Sequence, residues 1–465
     1  MATMPQALPG ESWLSRRFEF AKRSTSLATE LWGGLTTFLV MAYIVFVNPA
    51  ILSTGQLAGK GPDFAATLTV TCLMAGLLSI AMGWFANYPF AMAPGMGLNA
   101  VVATQLILNG GFTWQEAMGV IFLEGVFITV LMYTGFREAV MHAIPLELKR
   151  AIAVGIGLFI MFIGFNNAGL VRAGVGTPVT LGNLTTFPIL LAVVGLALTL
   201  FFMARGFKAA LLLGIIMTTI LGVVSRYIFG YDISATPGDQ GLLPSTVTWP
   251  DFSSIGQGIN IGVFLKLGFV AGLLTIFSLM LSDFFDTMGT VVGLGEQAGL
   301  VDEQGRLPGI DKVLKVDSWG ALLGGFAGSS SNTTYIESSA GILAGARTGL
   351  AAIVVGVLFL LSMLLAPVAG LITAEATAPA LILIGFLMFA AVRDLDWSDL
   401  EVGFPALLTV VLMPFTYSIT NGIGAGILSY VFMKVVRGKG GDLNLWMWIV
   451  AAAFLVYFLL PALGF

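Results

Sequence analysis

Three carboxylates carry the chemistry of this chain, and each stands in sequence that otherwise reads as lipid-embedded. Two lie in Ser282-Asp283-Phe284-Phe285-Asp286-Thr287, inside an apolar run. The third lies in the polar, helix-starting run Ser329-Ser330-Ser331-Asn332-Thr333-Thr334-Tyr335-Ile336-Glu337-Ser338-Ser339-Ala340-Gly341. Ionisable groups at membrane depth are expensive and normally face a protein interior or a water-filled path. Asp283 and Asp286 are three apart and share one face of a helix. Two carboxylates so close in low dielectric do not both ionise easily, which is the property a proton-coupling site needs. The same acids, with hydroxyls such as Ser282 and Thr287, also make hard oxygen ligands for sodium. A structural network tying this helix to a neighbour would equally use one of the two aspartates. Phe284, Phe285, Phe90, Tyr88 and Tyr335 flank the acids, and aromatic faces sandwich a flat ring. With 35 phenylalanines in the chain, most such rings serve packing.

Two interrupted segments must position these acids. In Asn87-Tyr88-Pro89-Phe90-Ala91-Met92-Ala93-Pro94-Gly95-Met96-Gly97-Leu98-Asn99-Ala100, two prolines and two glycines forbid a regular helix. The pattern predicts an extended piece followed by a short helix over about 97–108. The second interruption covers 329–346. Counted along the chain they are the third and tenth apolar elements. Their separation is an odd number of crossings, so the two halves would have opposite orientations. Broken segments at corresponding places in two halves point to a transporter's central site. Half-helices starting near the midplane aim unpaired N–H groups into one cavity. Asn99 falls just inside the first half-helix, as a ligand contact or as a cap or interhelical hydrogen bond. Glu337 falls just inside the second, as a ligand contact or a capping carboxylate.

The composition supports this setting. Of 465 residues, 57% are hydrophobic and 10% charged, with a mean hydropathy of +0.95. A soluble globular protein carries about 25% charged residues. The chain therefore reads as an all-α polytopic membrane protein. Its apolar runs are 31–52, 65–86, the broken third element, 115–133, 146–165, 187–203, 209–229, 263–288, 318–328, 333–346, 348–366, 379–392, 402–415 and 422–436. That makes about fourteen segments, the first ending at Asn48-Pro49, with a last run over 443–465 that is either a span or a peripheral helix. Spans of ~20 residues match a hydrocarbon thickness of ~30 Å. Abundant glycine, at 58 residues, suits close helix packing and broken helices.

Loop charges place the N-terminus in the cytoplasm. Arg137, Lys149, Arg150, Arg205, Lys208, Arg306, Lys312, Lys315, Arg347, Arg393, Lys434, Arg437 and Lys439 then fall inside. The 230–262 loop, with aspartates and no Lys or Arg, falls outside. The polar stretch before the first span lacks a signal-peptide cleavage pattern. Glu124, mid-span, reads as a structural partner. Cys72 reads as core packing, and His142, the one histidine, as a surface or packing residue. No cofactor or metal site is expected. Without a Walker-type glycine loop, an HExxH motif or a Gly-x-Ser-x-Gly motif, ATP-driven transport and hydrolysis have no candidate residues. The pattern favours a secondary transporter, not an enzyme, for a small, flat, hydrogen-bonding solute. A channel is the competing class.

At these residues the chain resembles the AzgA-like purine permeases of the nucleobase/ascorbate transporter (nucleobase:cation symporter-2) superfamily. The resemblance runs through Ala86-Asn87-Tyr88-Pro89-Phe90-Ala91, Pro94-Gly95-Met96-Gly97-Leu98-Asn99-Ala100 and Ser282-Asp283-Phe284-Phe285-Asp286-Thr287-Met288-Gly289-Thr290. It continues in Tyr335-Ile336-Glu337-Ser338-Ser339-Ala340-Gly341, Gly345-Ala346-Arg347-Thr348-Gly349-Leu350 and Leu412-Met413-Pro414-Phe415-Thr416-Tyr417-Ser418-Ile419. It implies two inverted repeats of seven elements, with short strands in the third and tenth. The organisation it implies is a tail over 1–27, a core domain over 28–135 and 263–367, a gate domain over 136–230 and 368–438, an outer loop over 231–262 and a C-terminal segment over 439–465.

The resemblance further implies an elevator-like, proton-coupled importer of adenine, guanine and hypoxanthine in the plasma (inner) membrane. It implies a homodimer and no nucleic-acid partner. On it, Asp283 and Glu337 hold the purine, Asn99 contacts it, and Asp286 supports binding or proton coupling with Asp283 and Glu337. Phe90 and Thr334 complete the candidate contact set. The uracil and xanthine branch has Asn after its tenth-element acid, where Ser338 stands here, and commonly a histidine in the eighth element, where this chain has none. Transport of uracil, xanthine or a small anion on the same fold is the alternative.

Overall fold

A computed structural model describes residues 12–53, 57, 59–133, 144–174, 176–230, 249–301, 307–365 and 372–459. His142, Arg137, Arg306 and the 231–248 part of the outer loop lie outside the described residues. The first half runs α1 (Trp13–Phe18), α2 (Leu27–Met41), α3 (Ile44–Leu52), α4 (Phe64–Ala81), β1 (Met92–Pro94), α5 (Met96–Val101), α6 (Trp114–Tyr133), α7 (Leu146–Asn167), the hairpin β2 (Val171–Arg172) and β3 (Thr180–Leu181), α8 (Phe187–Ala204) and α9 (Ala210–Phe229). The second runs α10 (Gly262–Gln297), α11 (Ile310–Ala327), β4 (Asn332–Thr334), α12 (Ser338–Leu343), α13 (Gly349–Ser362), α14 (Ala374–Phe389), α15 (Leu400–Phe415), α16 (Ile419–Val436) and α17 (Leu445–Leu459).

Among the described residues, 8 helices are long and apolar enough to cross a membrane, or 9 with the bent start of α10 included. Shorter apolar helices, including α13, α15 and α17, add to them. The expected apolar runs thus form helices, with local departures. The first run does not stop at Asn48-Pro49: its ladder breaks earlier, at Ala42 and Tyr43, and Pro49 sits inside α3. α3 begins at Ile44, so the carbonyl that Pro49 cannot bond is within that short helix's own first turns. The run over 263–288 is not one straight span. It bends by 113° at Gly268, whose φ of 75° and ψ of 168° suit only glycine. The last run forms α17, which packs on α16 where Gly424 lets the rings of Phe454 and Phe458 approach.

Packing sorts the helices into two groups. α2, α4, α6, α10, α11 and α13 pack on one another, and so do α7, α8, α9, α14, α15 and α16. In lipid such contacts rest on close van der Waals packing, which small residues permit. The α4 end crosses the α13 start backbone to backbone. A Cβ on Gly83 would lie 2.1 Å from the Gly349 carbonyl oxygen, so alanine there forces the helices apart. The two broken segments meet in the middle. β1 pairs antiparallel with β4 in the register Met92–Thr334, Ala93–Thr333 and Pro94–Asn332. The Gly95 N–H donates to the Ser331 carbonyl at 2.8 Å and the Tyr335 N–H to the Ala91 carbonyl at 2.9 Å, extending the ladder at both ends. Irregular backbone is thereby satisfied inside protein, as membrane depth requires.

Candidate functional site: carboxylates at the strand crossing

β4 lies along α10, and the periods of strand and helix match there. Residues two apart on a strand face one way, as do residues three apart on a helix. Ser331 and Thr333 accordingly meet Asp283 and Asp286. The Ser331 hydroxyl donates to Asp283 Oδ2 at 3.1 Å, and the Thr333 hydroxyl lies within reach of Asp286. Asp283 is buried, while Asp286 keeps part of its surface open. One residue further, the Thr287 hydroxyl donates to Asp317 Oδ1 on α11 at 2.7 Å. Glu337 immediately precedes α12 as its cap residue, not inside it, and makes no capping bond with its side chain. Its carboxylate instead accepts from the Tyr43 hydroxyl at 2.6 Å. The charges that act on Asp286 are those of Asp317 and Glu337, both acids. Tyr335 lies within reach of Glu337 and Asp286, with its hydroxyl donated to the Pro94 carbonyl.

Four acids therefore converge on one strand crossing: Asp283, Asp286, Asp317 and Glu337. Such a cluster cannot carry full charge cheaply in low dielectric, and it presents hydrogen-bond acceptors to a solute with N–H donors. Among the described residues, no group of His, Cys, Asp and Glu is arranged to hold a metal ion.

Asn99 and Phe90 are held by partners other than the acids. The Asn99 amide donates to Asn48 Oδ1, and Asn48 donates in turn to the Thr71 hydroxyl at 2.7 Å and the Ser329 carbonyl at 3.4 Å. Asn99 is fully buried in that network, so its amide ties α5 to α3 and α4. Phe90 is fully buried too. Its ring stacks on Tyr88 at 5.0 Å, in a cluster that includes Met82, Val291 and Leu294. Thr334 follows Thr333 on the strand and points to the opposite face by the period of two. Asp317 and Tyr43 carry no sequence signal of their own. The loop lysines Lys312 and Lys315 placed Asp317 just outside the expected span 318–328, whereas α11 begins at Ile310. Glu124 is buried on α6 and Cys72 on α4.

A permease family model (Xan_ur_permease) matches residues 28–425. The chain belongs to this permease family. The adenine permease AdeQ of Escherichia coli (strain K12) is 41% identical over 441 residues, covering 95% of each chain. The guanine/hypoxanthine permease PbuG of Bacillus subtilis (strain 168) is 39% identical over 454 residues, covering 95% of this chain and 98% of its own. These relatives are permeases, and so is this chain: an integral membrane transport protein, not an enzyme. Among solved structures, the transmembrane domain of the cyanobacterial bicarbonate transporter BicA superposes with a TM-score of 0.60 at 16% identity, over 86% of this chain and 97% of that one. The permease thus has the helical fold of that domain.

Proposed function

We propose that this permease imports the purine nucleobases adenine, guanine and hypoxanthine by proton symport across the plasma (inner) membrane. The observation that carries the reading is the convergence of Asp283, Asp286, Asp317 and Glu337 on the β1–β4 crossing. A purine offers ring N–H donors to carboxylates, and ring nitrogens or O6 to donors. A protonated acid donates where an ionised one cannot, which couples purine affinity to proton binding. Asp283 and Glu337 hold the base; Asp286, beside Asp317, exchanges the proton. The names of relatives such as AdeQ and PbuG support the substrate class.

The fourteen elements form two inverted repeats of seven, with the N-terminus cytoplasmic. The antiparallel β1–β4 pairing is what opposed repeats require. The core (28–135 and 263–367) carries the site as a body against the gate (136–230 and 368–438), and gates pair in a homodimer. The two packing groups support this division.

Uptake of labelled adenine, guanine and hypoxanthine in cells lacking their own purine carriers tests the reading, with Glu337→Gln, Asp283→Asn and a protonophore alongside. Concentrative uptake abolished by either substitution and by the protonophore is the expected result. Purine uptake that survives both substitutions removes these acids from the site. A protein shown to be at the membrane that moves no purine sinks the substrate class.

A further inference from the structure

Away from the strand crossing, the N-terminal segment closes over the ends of α4, α11 and α12 and leaves a cavity of about 770 Å³. Its charged lining is Arg17, Lys22, Arg23, Lys312 and Arg347, against one acid, Glu19, among the described residues. We propose that this cavity binds a phosphate-bearing anion, either the headgroup of an anionic phospholipid or a free phosphate ester.

The cavity is built and not a chance gathering of side chains. Phe18 and Phe20 bury against Leu350 at the start of α13, which fixes the N-terminal segment in place. The Tyr88 hydroxyl donates to the Pro308 carbonyl at 2.6 Å and ties the opposite rim to the segment between α4 and β1. The arginines are oriented before any ligand arrives. Arg17 lies over the Trp84 ring at 4.8 Å and donates to the Trp84 carbonyl. Arg23 lies over Tyr88 at 5.1 Å and donates to the carbonyls of Asn87 at 2.6 Å and Arg347 at 2.9 Å. Each guanidinium has five N–H groups, so donors remain beyond these bonds. A fixed fork of donors suits phosphate oxygens, and preorganisation lowers the cost of binding them. Lys22 and Lys312 are exposed at the mouth, where they add charge; Lys22 also pairs with Glu19 at 3.4 Å, an exposed ion pair of the kind worth little.

The position fits a headgroup. Trp13 and Trp84, with ring centroids 6.1 Å apart, are 57% and 41% exposed, and Phe85, which lines the cavity, is 55% exposed. Tryptophans showing this much surface mark the membrane–water interface. Basic clusters at that level attract anionic lipid, worth about five-fold in affinity per lysine or arginine.

The test uses the full purified chain in phosphatidylcholine nanodiscs and reads binding by titration. One arm adds short-chain phosphatidylglycerol and the other a water-soluble phosphate monoester, glycerol 3-phosphate. Saturable binding of either supports the cavity, and the arm that binds identifies the source. Lys312→Gln is expected to weaken binding about five-fold, and the pair Lys22→Gln with Lys312→Gln roughly 30-fold. Lys315→Gln is the matched control, because Lys315 faces Asp311 on the same helix at 3.6 Å and lies outside the cavity. Equal loss with Lys315→Gln would mean general surface charge and overturn the site. So would no binding in either arm, with melting midpoints showing the variants folded. Binding is read without transport, so this result is independent of the purine reading.

Discussion

The Tyr43 hydroxyl donates to Glu337 Oε1 at 2.6 Å, across 294 positions of chain. Tyr43 sits at the break between α2 and α3, so the place where the first span loses its ladder is the place that meets the second broken segment. Hydrogen bonds to charged groups are worth about 1.5–3 kcal/mol. Tyr43→Phe keeps the ring and removes the donor. The apparent KM for purine should rise roughly 10- to 100-fold, with the protein still at the membrane. A KM indistinguishable from the parent would mean that Tyr43 does not position Glu337.

Asp286 differs from Asp283 in keeping an open surface while facing two other acids. In the symport reading a proton joins the cluster from the more acidic side along with the base. Uptake by the parent should therefore rise as the outside is acidified and collapse with a protonophore. Asp286→Asn presents a neutral amide that neither takes nor releases a proton. Residual uptake in that variant should be flat with external pH and indifferent to the protonophore. A pH response as steep as the parent's would move the coupling to Asp317 or Glu337.

How far the sequence reveals this site depends on the range of the interaction involved. Asp283, Asp286 and Glu337 were legible because an acid in an apolar run is a local anomaly. The broken segments were legible because proline and glycine act on their own backbone. What stayed hidden was partnership. Ser331 reaches Asp283 over 48 positions, and no local pattern marks that pairing. Tyr43 reads as one more aromatic in an apolar run. Asp317 was hidden by Lys312 and Lys315, whose charges pull the apparent start of the helix past it, although α11 begins at Ile310. Phe90 raises the opposite question. Its place in the broken segment suggests nearness to the solute, while its ring is buried against Tyr88, two residues earlier.

That burial makes Phe90 a stability residue. Phe90→Ala removes a fully buried ring, which typically costs about 3–5 kcal/mol in a packed core. The melting midpoint of the purified protein should fall clearly. The KM of the molecules that remain folded should stay within about threefold of the parent, since no purine contact is lost. A tenfold rise in KM with an unchanged melting midpoint would restore Phe90 to the binding site.

Gln105 bridges the two packing groups. It lies on the helical continuation of α5, and its amide donates to the Tyr417 carbonyl at 3.0 Å, in the turn between α15 and α16. The Ser418 hydroxyl meets its Oε1 at 3.4 Å. Tyr417 is held in the left-handed region at φ 54°, and its ring packs edge-on against Phe159 at 5.3 Å, so the acceptor is fixed to the second group. If the core moves against the gate, this contact must break during each cycle. Its loss should favour the conformation in which the two ends are apart. Gln105→Leu keeps the bulk and removes both bonds. The one native cysteine, Cys72, is buried, so spin labels can be placed specifically at Asn109 and Thr416, both exposed. The distance distribution between them should shift to longer values in Gln105→Leu. An identical distribution in the two proteins would show that the contact does not set the balance between states.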